Sequence, residues 1–229
     1  MSTEFKLIDA VKAGDQAECT RLLELEDIDI DIHERDKDGR SSIILASRKG
    51  HVNIVELLLS KGADINDKDN DGWSSIIWAS YQGHVNVVEL LLSNRADIND
   101  KQNDGWSSII LASGKGHVNI VELLLSKGAD INDKNNAGRS SIIWASREGH
   151  VNVVELLLSK GADIIGKDND GGSSIIAASR EGHMNVVELL LSRGADINDK
   201  DNDGWSSIIA ASLGGHLNVV ELLLSKGAN

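Results

Sequence analysis

Residues 50–64 read Gly50-His51-Val52-Asn53-Ile54-Val55-Glu56-Leu57-Leu58-Leu59-Ser60-Lys61-Gly62-Ala63-Asp64, and nearly the same text returns 33 residues on. The Gly-His pair that opens it recurs at Gly83-His84, Gly116-His117, Gly149-His150, Gly182-His183 and Gly215-His216. Upstream of each copy stands Ser-Ser-Ile-Ile-x-Ala-Ser, as in Ser41 to Ser47, and before that a turn rich in Asp, Asn and Gly. A fixed period of this length marks a repeat array. The chain therefore divides into 36–68, 69–101, 102–134, 135–167, 168–200 and 201–229, with 1–35 as a diverged N-terminal capping unit. Val52-Asn53-Ile54 matches Val118-Asn119-Ile120, whereas Val85-Asn86-Val87 matches Val151-Asn152-Val153, which points to duplication of a 66-residue pair.

Within 36–68 the pattern predicts two short helices and a turn. Ser41 is the expected N-cap, its hydroxyl accepting from a first-turn N–H. Ile43, Ile44, Ala46 and Ser47 lie on the first helix, which Gly50 stops. Val52 to Ser60 form the second, with Gly62 as its left-handed C-terminal residue. Leu7, Ile8 and Val11, then Leu22, Leu23 and Leu25, suggest the same pair in 1–35. Helices shorter than about 12 residues are not stable alone in water, so each pair must bury its apolar face on the next.

Composition narrows the function classes. The 229 residues include no proline, one cysteine, five tryptophans, one tyrosine and one phenylalanine, with a net charge of −13. That charge argues against nucleic acid as main partner and against an anionic membrane surface; a basic target is easier to accommodate. No apolar run approaches a membrane span. Met1 to Lys12 lack a signal-peptide pattern, and a lone Cys19 suits a reducing compartment. An intracellular setting, cytoplasm or nucleus, is expected.

The repeat text resembles the ankyrin repeat in its period, its Asp-x-x-Gly turn, Ala46, Gly50-His51, Val55, Leu58-Leu59, Gly62-Ala63-Asp64 and Asn66. The resemblance covers 36–229 and is looser in 1–35. It implies an all-α solenoid of stacked helix-turn-helix units with β-hairpin loops, and a non-catalytic scaffold that binds a protein or peptide on its concave face. It also implies that Asn66, Asn99, Asn132 and Asn198 are similar to asparagines hydroxylated in some members. Three departures stand out. Ser-Ser-Ile-Ile replaces the family's Thr-Pro-Leu-His, so Ile44, Ile77, Ile110, Ile143, Ile176 and Ile209 should bury where the family hydrogen-bonds. Arg95 stands where the family has glycine, and Ile165-Gly166 replaces Asn-Asp.

Other chemistries have weak support. Six histidines at 33-residue steps cannot share one metal, since stacked helices lie about 8–10 Å apart. They are read as ties between loops. No serine sits in a nucleophile elbow, so no catalytic residue is assigned, and neither metal nor cofactor is expected. Asp67-Lys68-Asp69-Asn70-Asp71-Gly72 and Asp199 to Gly204 match the start of a calcium loop, yet its twelfth position, a bidentate Glu, is here Trp78 and Ala210. Glu56, Glu89, Glu122, Glu155, Glu188 and Glu221 read as a solvated face.

The informative positions are those where the copies differ. They are the residue after the turn glycine, one within the first helix, and two before Gly-His. All five tryptophans and the tyrosine fall there, and Trp, Tyr and Arg dominate binding hot spots. The candidate partner-binding residues are Arg40, Trp73, Trp78, Tyr81, Trp106, Arg139, Trp144, Arg147 and Trp205. Lying outside the helix interfaces, the tryptophans are expected to contribute little to stability. The alternative is a structural or engineered consensus-like array with no evolved partner; a calcium-responsive repeat is the weakest reading. The last frame keeps the apolar text of the inner ones (Ile208, Ile209, Val219, Val220, Leu222, Leu223, Leu224), so weak self-association through the C-terminal end is expected.

Overall fold

The computed structural model describes residues 7–24 and 30–229; Leu25 and the reading of Met1 to Lys6 lie outside the described residues. Among the described residues fourteen helices follow one another in seven pairs: α1 (Leu7–Ala13) with α2 (Gln16–Leu23), α3 (Ser42–Lys49) with α4 (Val52–Ser60), and α5 (Ser75–Gln82) with α6 (Val85–Ser93). Then come α7 (Ser108–Gly114) with α8 (Val118–Ser126), α9 (Ser141–Arg147) with α10 (Val151–Ser159), α11 (Ser174–Arg180) with α12 (Met184–Ser192), and α13 (Ser207–Leu213) with α14 (Leu217–Ser225). Among the described residues there is no sheet, only isolated antiparallel bridges such as Lys68–Ser74 and Lys134–Ser140 that close the turns.

The chain forms two compact units, Met1–Asn103 and Asp104–Asn229. In the first, α1, α3 and α5 pack in sequence, as do α2, α4 and α6; in the second, α7, α9, α11 and α13 form one row and α8, α10, α12 and α14 the other. The sequence dictates this arrangement. Ile43, Ile44 and Ala46 on α3 and Ile54, Val55 and Leu58 on α4 are all buried, and the equivalent residues of α9 to α12 repeat them. No single pair has two sides to bury these residues; its neighbours supply them. The isoleucines that replace the family histidine behave as expected at Ile44, Ile77, Ile110, Ile143 and Ile176, all buried, whereas Ile209 is 41% exposed because no further pair covers α13.

Ser41 corrects the capping expectation. It holds the N-cap backbone position (φ −78°, ψ 170°), but its hydroxyl makes no cap bond. Its side chain is buried in the packed seam, and the hydroxyl has no partner among the described residues. Ser41 instead pairs with Arg35 in an antiparallel bridge just before the helix begins.

Arg95 is the one non-glycine with positive φ among the described residues, at 68°, where Gly62, Gly128, Gly161 and Gly194 take 89–93°. Asn94 keeps φ at −94°, so no shifted cap relieves the strain. A side chain in this region costs about 1–2 kcal/mol. Arg95→Gly should therefore raise stability by about 1 kcal/mol; an unchanged urea midpoint would contradict the strain.

Candidate functional site

The variable positions sit on a rigid backbone. Asp69 Oδ1 accepts the N–H groups of Asp71 (3.1 Å) and Trp73 (2.8 Å), a turn that short acidic side chains favour. Asn135 does the same for Ala137 and Arg139, and Asp168 for Asp170 and Gly172. The residue after the turn glycine is thus held by its own N–H, which leaves its side chain free to vary. Successive turns are laced together: Asn70 N donates to Asp38 O, Asn103 N to Asp71 O, Asn136 N to Asp104 O and Asn202 N to Asp170 O. Lysines add a second rail, Lys68 Nζ reaching Lys101 O and Lys134 Nζ reaching Lys167 O, at 3.0 and 2.8 Å.

In the first unit Trp73, Trp78 and Tyr81 come together. Trp73 stacks on Trp78 with centroids 4.3 Å apart, and Tyr81 meets both edge-on at 5.4 and 6.2 Å. Trp78 Nε1 donates to Asp69 Oδ2 at 2.9 Å, and the Arg48 guanidinium lies 4.7 Å above the Trp78 ring. All three rings are half-buried. Arg40 is committed elsewhere, pairing with Asp36 at 3.0 Å and with Asp38. Burial raises the Asp36 carboxyl, but hydrogen bonds from the Arg40 side chain and from the N–H groups of Arg40 and Asp38 outweigh it and hold the group below its ordinary value.

In the second unit Trp106 meets Trp144 edge-on at 4.7 Å. Arg139 and Arg147 flank Trp144 at 5.7 and 5.2 Å from its centroid, within cation–π range. Trp144 lies so close to Gly114 that a Cβ there would fall 1.7 Å from Cδ1; the glycine at this variable position is a seat for the ring. Trp205 stands apart, 40% exposed, with Arg180 5.8 Å from its centroid. Trp73 and Trp78 therefore pack on each other, as do Trp106 and Trp144, whereas Trp205 packs on no other tryptophan. Arg48, Arg180, Asp69 and Gly114 were absent from the candidates read from sequence. Three of them sit at the same variable position before Gly-His, so the signal was available.

The competing chemistries find their groups engaged. Asp67 pairs with Arg35, and Asp69 binds its own turn and Trp78, so these two carboxylates do not converge on an ion site. Asp199 pairs with Lys167 at 2.6 Å and Asp201 with Arg180 at 3.3 Å. His84, His150 and His216 place Nε2 3.0 Å from the carbonyls of Arg48, Gly114 and Arg180, tying each loop to the one before. Asn66, Asn132 and Asn198 accept the N–H groups of Asp97, Asp163 and Asn229 through Oδ1, so their side chains serve the stack. Burial, with Asp15 and Glu18 adding, pushes the Cys19 thiol up to about 11. At neutral pH that leaves almost no thiolate to react.

No helix among the described residues is long and apolar enough to cross a membrane. No curated protein matches the chain. The family model for ankyrin repeats (3 copies) matches residues 7–102, 95–168 and 164–229, reaching back into the diverged first unit.

Proposed function

The chain belongs to the ankyrin-repeat family, and from that premise we propose that it is an intracellular, non-catalytic scaffold that takes a protein or peptide partner through its Trp, Tyr and Arg residues. Ankyrin repeats are in general protein-interaction modules and typically non-catalytic. The observation that carries the reading is the pair of preassembled aromatic clusters, Trp73–Trp78–Tyr81 and Trp106–Trp144, at positions where the repeats otherwise vary. Half-buried rings with arginines on their flanks lose little freedom on binding, which is how hot-spot anchors work. Arg139, Arg147 and Trp205 extend the surface; Arg40, held by two aspartates, contributes shape more than charge.

Immobilised protein should retain partners from lysate that the Trp73→Ala/Trp78→Ala and Trp106→Ala/Trp144→Ala variants lose, each pair weakening affinity by about 30-fold or more. Circular dichroism of each variant separates loss of the surface from loss of fold. Capture indifferent to both pairs would favour the other reading, a repeat array without an evolved partner, which the uniform hydrogen-bonded rails would suit equally well.

We also propose weak self-association through the last helix pair, on the ground of Ile209, Leu213, Leu217 and Leu224, exposed by 41, 64, 67 and 57%. Val219 and Leu223, by contrast, are buried against the preceding pair. Exposed apolar patches of this kind favour association. Sedimentation velocity over a hundredfold concentration range should show a rising coefficient that Leu213→Glu/Leu217→Glu abolishes; a concentration-independent monomer would remove the proposal.

A further inference from the structure

The second unit holds a cavity of about 250 Å³ lined by Arg139, Arg147, Asp168, Gly172, Ala177 and Arg180, among others. Its walls repeat, 99 residues on, the setting of the first aromatic cluster. Arg139 and Arg147 stand where Arg40 and Arg48 stand, and Asp168 where Asp69 does; the rings differ, for Trp73 becomes Gly172, Trp78 becomes Ala177 and Tyr81 becomes Arg180. In the first unit the space is occupied by the Trp78 indole, its N–H on Asp69 Oδ2 and its face under Arg48. In the second unit Asp168 Oδ1 holds the same turn, while Oδ2 faces Arg139 Nε across 3.8 Å, too far for a hydrogen bond. Arg147 leans on Trp144 and pairs with Glu181 at 3.5 Å. Where Asn135 replaces the aspartate, Trp144 lies against Gly114 instead.

We propose that this cavity is an indole socket, which takes a tryptophan side chain presented by a partner peptide. The indole N–H donates to Asp168 Oδ2, the ring rests on Gly172 and Ala177, and Arg147 or Arg180 closes over its face. The proposal rests on the partner-binding reading above and names the partner's anchoring chemistry. A tryptophan suits the socket better than phenylalanine because an acceptor only 12% exposed rewards a donor.

The test uses N-acetyl-tryptophanamide alone, titrated into the labelled full chain and followed by NMR. Saturable shifts at the Gly172 and Ala177 amides are expected, with N-acetyl-phenylalaninamide about tenfold weaker for want of the N–H. Asp168→Asn should weaken the tryptophan probe by a similar factor while the turn survives, since Asn135 makes the same two backbone bonds. Ala177→Trp should abolish binding by filling the socket from within, with a new indole N–H resonance protected from exchange. Absent shifts at Gly172 and Ala177, equal response to both probes, or binding undiminished in Ala177→Trp and Asp168→Asn would each overturn the socket. Because the probe is defined, these failures are distinct from a failure to capture a partner on the aromatic clusters.

Discussion

Ile176→Ala lowers stability by about 2–5 kcal/mol, whereas Ile209→Ala, the same substitution one repeat later, costs about 1 kcal/mol or less. Both residues occupy the same place in the first helix of their pair, in α11 and α13. Ile176 is 1% exposed because α9 and α13 pack on α11 from either side; Ile209 is 41% exposed because α13 has a neighbour in its row, α11, on one side, besides its own partner α14. Truncating Ile176 leaves a void in a close-packed seam, with no solvent to fill it. Truncating Ile209 only trims an exposed surface. Urea unfolding of the two variants measures the difference. Equal losses would mean that stacking between pairs is not what holds the second unit together.

The repeat period and the helix limits were legible because every copy repeats the same local decisions. Val52–Ser60 begins and ends where the text places it, since apolar spacing and the following glycine settle those bounds within a dozen residues. The burial of Ile44, Ile77, Ile110, Ile143 and Ile176 was legible for the same reason; the exposure of Ile209 was not. The role of the Ser41 hydroxyl was not: packing from neighbouring pairs decides whether it faces a helix N–H or a buried seam. Asn66 resembles a modification site in sequence, yet its amide oxygen binds Asp97 N, 31 residues on. The candidate site divides in the same way. Clustering of tryptophan at variable positions was plain, but not that Asp69 anchors Trp78, nor that Gly114 seats Trp144. Those contacts join side chains from different turns and helices, and no single repeat encodes them. Arg40 shows the converse: it reads as a candidate partner-binding residue, and the structure commits its charge to Asp36 and Asp38.

Gly105→Ala should be damaging out of proportion to its one added methyl, and Gly204→Ala isolates why. The two glycines occupy the same turn position with φ of +82° and +81°. An alanine at either carries the same backbone strain, about 1–2 kcal/mol. Their surroundings differ. A Cβ on Gly105 would fall 2.4 Å from Asn136 Oδ1 and 2.8 Å from Asn136 N, the backbone group that donates to Asp104 O. A Cβ on Gly204 meets nothing within 4 Å. To admit the methyl group at Gly105, the Asn136 turn must move away, which breaks the lacing bond and disturbs the Asn136-to-Asn169 step beyond it, where Asn169 Nδ2 donates to Asn136 O at 2.9 Å. Forcing an atom into a packed contact adds about 1–3 kcal/mol, so Gly105→Ala should cost about 2–5 kcal/mol in total. Paired urea melts give the difference, and hydrogen exchange at Asn136 N should accelerate in Gly105→Ala and stay unchanged in Gly204→Ala. Equal destabilisation would reduce the cost to backbone strain and deny the turn-to-turn lacing any role in holding the variable residues in place.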